Sequence, residues 1–117
     1  DPEFVPAGTY GKQALDLLGI YEQLQDKLIF GSDVRQVLGY VEGGNVDAGI
    51  VYSTDAAIAD SVKIVADAPA EVNSKIVYPI AVIKTCQNVN AATAYIAFLA
   101  GDEAKNIFEK YGFVVIK

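Results

Sequence analysis

Within nine positions the segment Asp47–Asp55, DAGIVYSTD, passes from apolar β-branched residues to helix-capping residues. Ile50 and Val51 form the centre of a short strand, expected to be buried. Gly49 precedes them, and Tyr52 is the polar-tipped residue at which the strand ends. Ser53, Thr54 and Asp55 are all good helix N-caps. A strand that stops at a tyrosine and turns into a capped helix places a phenol at the carboxyl edge of a sheet. In open α/β sheets that edge is where ligands bind. The plainer alternative makes Tyr52 a half-buried core edge whose hydroxyl finds a backbone partner.

The same punctuation recurs along the chain. Asp1–Val5 reads as a strand end, with Val5 pushed towards extended geometry by Pro6. Ala7-Gly8-Thr9 turns into a helix from Tyr10, with Ala14, Leu15 and Leu18 at helical spacing and Gly19 as its stop. Ile20–Gln25 reads as a short second helix and Lys27–Phe30 as a strand. Ser32 or Asp33 caps a helix over Val34–Glu42, whose apolar face is Val34, Val37, Leu38 and Val41. Gly43-Gly44-Asn45 ends it. Arg35 lies in its first turn and reads as an ordinary exposed arginine, with a nearby carboxylate or ligand as the alternative partner. Ala56–Ala59 is expected as a brief helix, Val62–Ala66 as a strand, and Asp67–Ser74 as a polar loop. Ile76–Lys84 is the longest strand-like run, and Pro79 makes it an edge, a bend or a crossing segment. Asn88 to Asn90 cap a helix that turns Ala94, Tyr95, Phe98 and Leu99 inward and stops at Gly101. Asp102 caps the last helix, which carries Ala104, Ile107, Phe108 and Tyr111 and ends at Gly112.

This alternation predicts an α/β fold with a mainly parallel sheet and flanking helices. Three strand-to-helix junctions, at Ala7, Val34 and Tyr52, are then expected on one edge. The 117 residues suffice for one domain with a moderate core. Histidine is absent and Cys86 is the single cysteine, which removes Ser-His-Asp and Cys-His catalysis and the usual zinc sites. No nucleophile–base pair stands out, so an enzyme is not expected. The net charge of −6 argues against a nucleic-acid surface. An anionic ligand remains compatible with that charge, because helix-start N–H groups bind anions without a cationic side chain.

Taken in order, DPEFVPAGTYGKQAL, SDVRQVLGYVEGGNVDAGIVYSTDA, IVYPIAVIK and AYIAFLAGDEAKNIFEKYGF resemble the C-terminal half of the molybdate-binding proteins of ABC transporters. The resemblance runs over essentially the whole chain, and the combination VPAG, DVR and GIVYSTDA carries its specificity. It implies the second lobe of a type II periplasmic-binding-protein fold, closing on a tetrahedral oxyanion. Matched motif to motif, it assigns oxyanion-binding roles to the Ala7 N–H, the Val34 N–H and the Tyr52 hydroxyl. It implies no cofactor and no catalytic residue. The ligand that the resemblance implies is molybdate or tungstate, with metal present only as the oxyanion. A half-fold for another oxyanion such as sulfate, or the sensing domain of a transcription regulator, are the competing readings.

The family's first-lobe serine motifs have no counterpart in this sequence. The resemblance therefore implies residues 1–77 as the second lobe, 78–84 as a crossing strand, and 85–117 as a helical tail that packs on the first lobe. The expected setting is periplasmic or extracellular, with a lipid anchor on a preceding segment and a membrane permease as partner of the intact protein. The apolar faces of the tail predict self-association.

Overall fold

The computed structural model describes Asp1–Ile116. Seven α-helices follow one another among these residues: α1 Pro6–Leu17, α2 Tyr21–Leu24, α3 Val34–Glu42, α4 Ser53–Ala56, α5 Ala70–Asn73, α6 Val89–Leu99 and α7 Asp102–Lys110. A 3-10 turn over Gln25–Lys27 extends α2. The chain divides into two compact units, Asp1–Ile76 and a second one from Val77 onward.

The helices start where local chemistry dictates. Proline opens α1, where its missing N–H costs nothing and its fixed φ suits the helix. Asp33 caps α3, its carboxylate accepting the Gln36 N–H at 2.8 Å, while Gln36 Oε1 reaches back to the Ser32 N–H at 2.7 Å. Asn88 caps α6 by accepting the Ala91 N–H at 3.1 Å. Asp102 is the first residue of α7 rather than its cap, which is Gly101.

Three helices stop by one device. Gly19, Gly44 and Gly112 all have positive φ, at 69°, 66° and 84°. After α1, the Ile20 N–H returns to the Leu15 carbonyl and the Gly19 N–H to that of Asp16. After α3, Asn45 and Gly44 bond Tyr40 and Val41 in the same way, and after α7, Phe113 and Gly112 bond Phe108 and Glu109. Each pair satisfies two carbonyls that a helix end leaves open. The last stop is reinforced by Phe113 packing edge-on against Phe108, with ring centroids 6.1 Å apart.

The expected α/β architecture is corrected. Among the described residues there is no strand and no sheet. Lys27–Phe30, Asp47–Val51, Val62–Ala66 and Ile76–Lys84 lie largely outside helices, but none forms a ladder with another. A helix closes its hydrogen bonds within five residues, whereas β-branched content becomes a strand only when a second segment pairs with it. The segments stay open to solvent accordingly: Ile50 is 48% exposed, Val65 82% and Ile83 70%. The parallel sheet of a type II binding-protein lobe is therefore not the architecture seen here.

Smaller differences follow the same logic. Helix α1 begins four residues earlier than Tyr10, because Pro6 is a better opener than the glycine turn suggested. The expected loop over Asp67–Ser74 contains α5, and its Val72 is the most enclosed side chain, at 1% exposure. The buried apolar side chains among the described residues are Ala14, Val72 and Ala104.

Candidate functional site

Ala7, Val34 and Tyr52 all stand at helix starts. Ala7 is the second residue of α1, half-buried, in a turn closed by the Gly8 and Thr9 N–H groups on the Val5 carbonyl at 2.9 and 3.1 Å. Val34 is the first residue of α3, directly after the Asp33 cap. Tyr52 is the residue before α4, extended at φ −72° and ψ 148°, and its carbonyl accepts the Asp55 and Ala56 N–H groups at 3.1 and 3.2 Å. First-turn N–H groups of a helix have no partner four residues back, so those of Ala7 and Val34 are the type that binds an anion.

The segments that lead into these starts lie against one another. The backbone nitrogen of Asp1 donates to the Gly31 carbonyl at 3.2 Å, joining the lead-in of α1 to that of α3. Ile50, two residues before Tyr52, packs on Gly11 of α1, where an added Cβ would stand 3.4 Å from Ile50 Cγ2. Gly49 lies on α3, where an added Cβ would meet Val37 Cγ1 and Val41 Cγ2, each at 2.9 Å. Helices α3 and α4 are in direct contact. Residue-by-residue reading missed these glycine contacts. The one available signal was a glycine in the interior of a helix (Gly11) and another directly before an apolar pair (Gly49).

Charge at the site is mixed. Asp33 puts a carboxylate on the N-terminus of α3, and Arg35 stands in the first turn of that helix. Asp55 occupies the first turn of α4. Lys12 of α1 binds Asp16 at 2.6 Å, and that hydrogen bond holds the lysine above its usual pKa. Two open clefts flank α1, of about 340 and 490 Å³. Neither is lined by Ala7, Val34 or Tyr52; both include Gln13, whose Oε1 is buried without a hydrogen-bond partner among the described residues. Cys86 is half-buried and unpaired, its N–H bonded to the Ile83 carbonyl at 3.0 Å.

Among the described residues no group of three or more His, Cys, Asp or Glu side chains stands where it could hold a metal ion. Residues 1–114 match the model of the bacterial extracellular solute-binding proteins, and the chain belongs to that family. It is a family of binders rather than enzymes, and its members act outside the cytoplasm.

Three relatives sharpen the comparison. The "Putative ABC transporter substrate-binding lipoprotein YvgL" of Bacillus subtilis is 50% identical over 112 residues, covering 96% of this chain and 43% of the relative. The molybdate-binding protein ModA of Escherichia coli is 42% identical over 115 residues, covering 98% and 44%. That of Haemophilus influenzae is 40% identical over 113 residues, covering 97% and 44%. The chain thus spans less than half the length of the relatives it matches.

Proposed function

We propose that this chain carries part of the oxyanion site of a molybdate receptor for an ABC importer. The observation that carries the reading is identity of 42% and 40%, across nearly the whole chain, to two proteins named as molybdate-binding. The Ala7 and Val34 N–H groups and the Tyr52 hydroxyl are its donors. Neutral donors suit an acidic protein that must take up a dianion, since each hydrogen bond to a charged group is itself worthwhile. Tungstate is a second ligand of the same shape and charge. The partner is a membrane permease, and a lipid anchor is in keeping with the lipoprotein relative. Residues 1–77 act as the ligand-holding part, with 78–84 and 85–117 as a connecting segment and a helical tail; the unit boundary after Ile76 supports that division. The exposed apolar side chains of the tail, Tyr95, Phe98 and Val114 among them, support self-association.

Three hydrogen bonds to a charged ligand contribute roughly 1.5–3 kcal/mol each. Association itself costs an estimated ~4–15 kcal/mol. The donors of this chain alone therefore yield millimolar or weaker affinity. Calorimetric titration of molybdate, tungstate and sulfate into this chain, and into a chain extended to the length of the relatives, tests the reading. Tight, molybdate-preferring binding by the longer chain alone supports it. Micromolar binding by the 117-residue chain contradicts the shared-site arithmetic, and no binding by either removes the ligand assignment.

A further inference from the structure

One turn beyond Val34 on α3, Val37 sits between two glycines. A Cβ built on Gly31 would lie 2.8 Å from Val37 Cγ2, and one built on Gly49 would lie 2.9 Å from Val37 Cγ1. Separations that short do not occur between real side chains, so any residue larger than glycine at either position moves something. Backbone conformation is not the reason, because neither glycine is among those with positive φ. The valine cannot swing aside cheaply, since a β-branched side chain in a helix keeps essentially one rotamer. Its two methyls thus limit how closely two segments approach α3, sharing the Gly49 contact with Val41 Cγ2, which stands at the same 2.9 Å. Gly31 stands three residues before Val34, and Gly49 three residues before Tyr52.

We infer that Val37 is a positioning and specificity-determining residue: wedged between Gly31 and Gly49, it sets the separation of the Val34 N–H from the Tyr52 hydroxyl. That separation determines which size of tetrahedral oxyanion the two donors embrace. The inference rests on the assignment of Val34 and Tyr52 as donors proposed above. Val37 touches no ligand in this account and acts only through the spacing. Two substitutions then have opposite effects. Gly49→Ala drives the 49–52 segment away from α3 and favours the larger anion. Val37→Ala removes both of its methyls and leaves Val41 Cγ2 as the remaining stop, so the segment settles closer on the Val37 side and favours the smaller one.

The experiment is an NMR titration of molybdate and of sulfate into the full chain at fixed ionic strength. It compares the unsubstituted protein with Gly49→Ala, Val37→Ala, Val37→Thr and Tyr52→Phe. Gly49→Ala is expected to raise the molybdate-to-sulfate affinity ratio about threefold or more, and Val37→Ala to lower it by a similar factor. Val37→Thr, which keeps both branches, leaves the ratio near its starting value. A residue that serves packing alone weakens both anions together, so an unchanged ratio, or a shift in the same direction for both variants, overturns the inference. Tyr52→Phe separates the two claims. If it leaves molybdate binding unaltered, the donor assignment fails. In that case the ligand-free Val34 amide and Tyr52 ring shifts of Gly49→Ala and Val37→Ala still report on the wedge, and shifts that stay in place overturn it.

Discussion

Tyr52 shows how much one residue is asked to do. Its carbonyl starts α4 by accepting two N–H groups, its ring is half-buried, and its hydroxyl is the proposed donor. Tyr52→Phe keeps the first two roles and removes the third. Losing one hydrogen bond to a charged ligand costs about 1.5–3 kcal/mol, so oxyanion affinity is expected to fall roughly tenfold to a hundredfold with the melting temperature nearly unchanged. Parallel titration and thermal unfolding check both halves. Lys12 gives a pH prediction at the same scale. Its folded pKa is raised above 10.5, chiefly by the hydrogen bond to Asp16. The contribution of that pair is therefore complete below the unfolded value and is lost as pH rises through the folded one. The pair lies on an exposed helix face, so the effect is small. Unfolding curves for Lys12→Met and the unsubstituted chain are expected to differ slightly near neutrality and to converge only above pH 10.5, where the lysine deprotonates. Part of this local chemistry was readable in advance, although the α1 start and the α7 cap were not. The Asn88 cap, the Asp33 alternative and the three stopping glycines all needed only neighbours within a few positions.

At the scale of elements, helices and strands fared differently. Helix α3 runs over Val34–Glu42, as its spacing and cap require, and α6 follows Asn88. The expected strands have no pairing, and α5 occupies a stretch that reads as loop. Propensity identifies a β-branched run, but only a second segment at hydrogen-bonding distance turns it into a strand. Helix α5 was hidden for the opposite reason. Four residues are too few to show a period, and its Val72 becomes central only through the contact of α5 with α1. Asp33→Ala tests the best-capped helix. Removing a capping carboxylate costs about 1 kcal/mol, within a range of ~0.5–2. Chemical denaturation should show a lower midpoint with an unchanged slope, while Asp33→Ser recovers most of the loss. If Asp33→Ala unfolds at the same midpoint, the Asp33–Gln36 bond contributes nothing to stability.

For the whole molecule the balance of burial is the central fact. Among the described residues three apolar side chains are buried, whereas residues as large as Phe4, Tyr78 and Tyr95 are more than half exposed. A chain of this size normally hides most of its apolar surface, and extensive exposure marks surfaces that meet other protein. Sedimentation equilibrium is expected to show mass rising with protein concentration. Tyr95 and Phe98, expected from their spacing to turn inward, are exposed on α6, and Tyr95→Ser with Phe98→Ser should shift the distribution towards monomer. A monomeric profile at high concentration, unaffected by the two substitutions, contradicts self-association through the tail. The candidate site shares this division between local and long-range information. The three proposed donor positions each stand at a helix start, a feature that local residue patterns locate one at a time. Their relation to one another was not legible in those patterns, because it depends on Asp1 meeting Gly31 and on Val37 lying between two glycines far apart in the chain.

The sequence alone determined the family, the caps of α3 and α6, and the glycine stops after α1, α3 and α7. All of these depend on residue identity or on interactions within a turn or two. Tertiary structure alone decided whether β-branched runs pair, which valine sits between which glycines, and how much apolar surface is covered. Those outcomes depend on segments distant in sequence reaching one another, and short-range periodicity carries no information about that encounter.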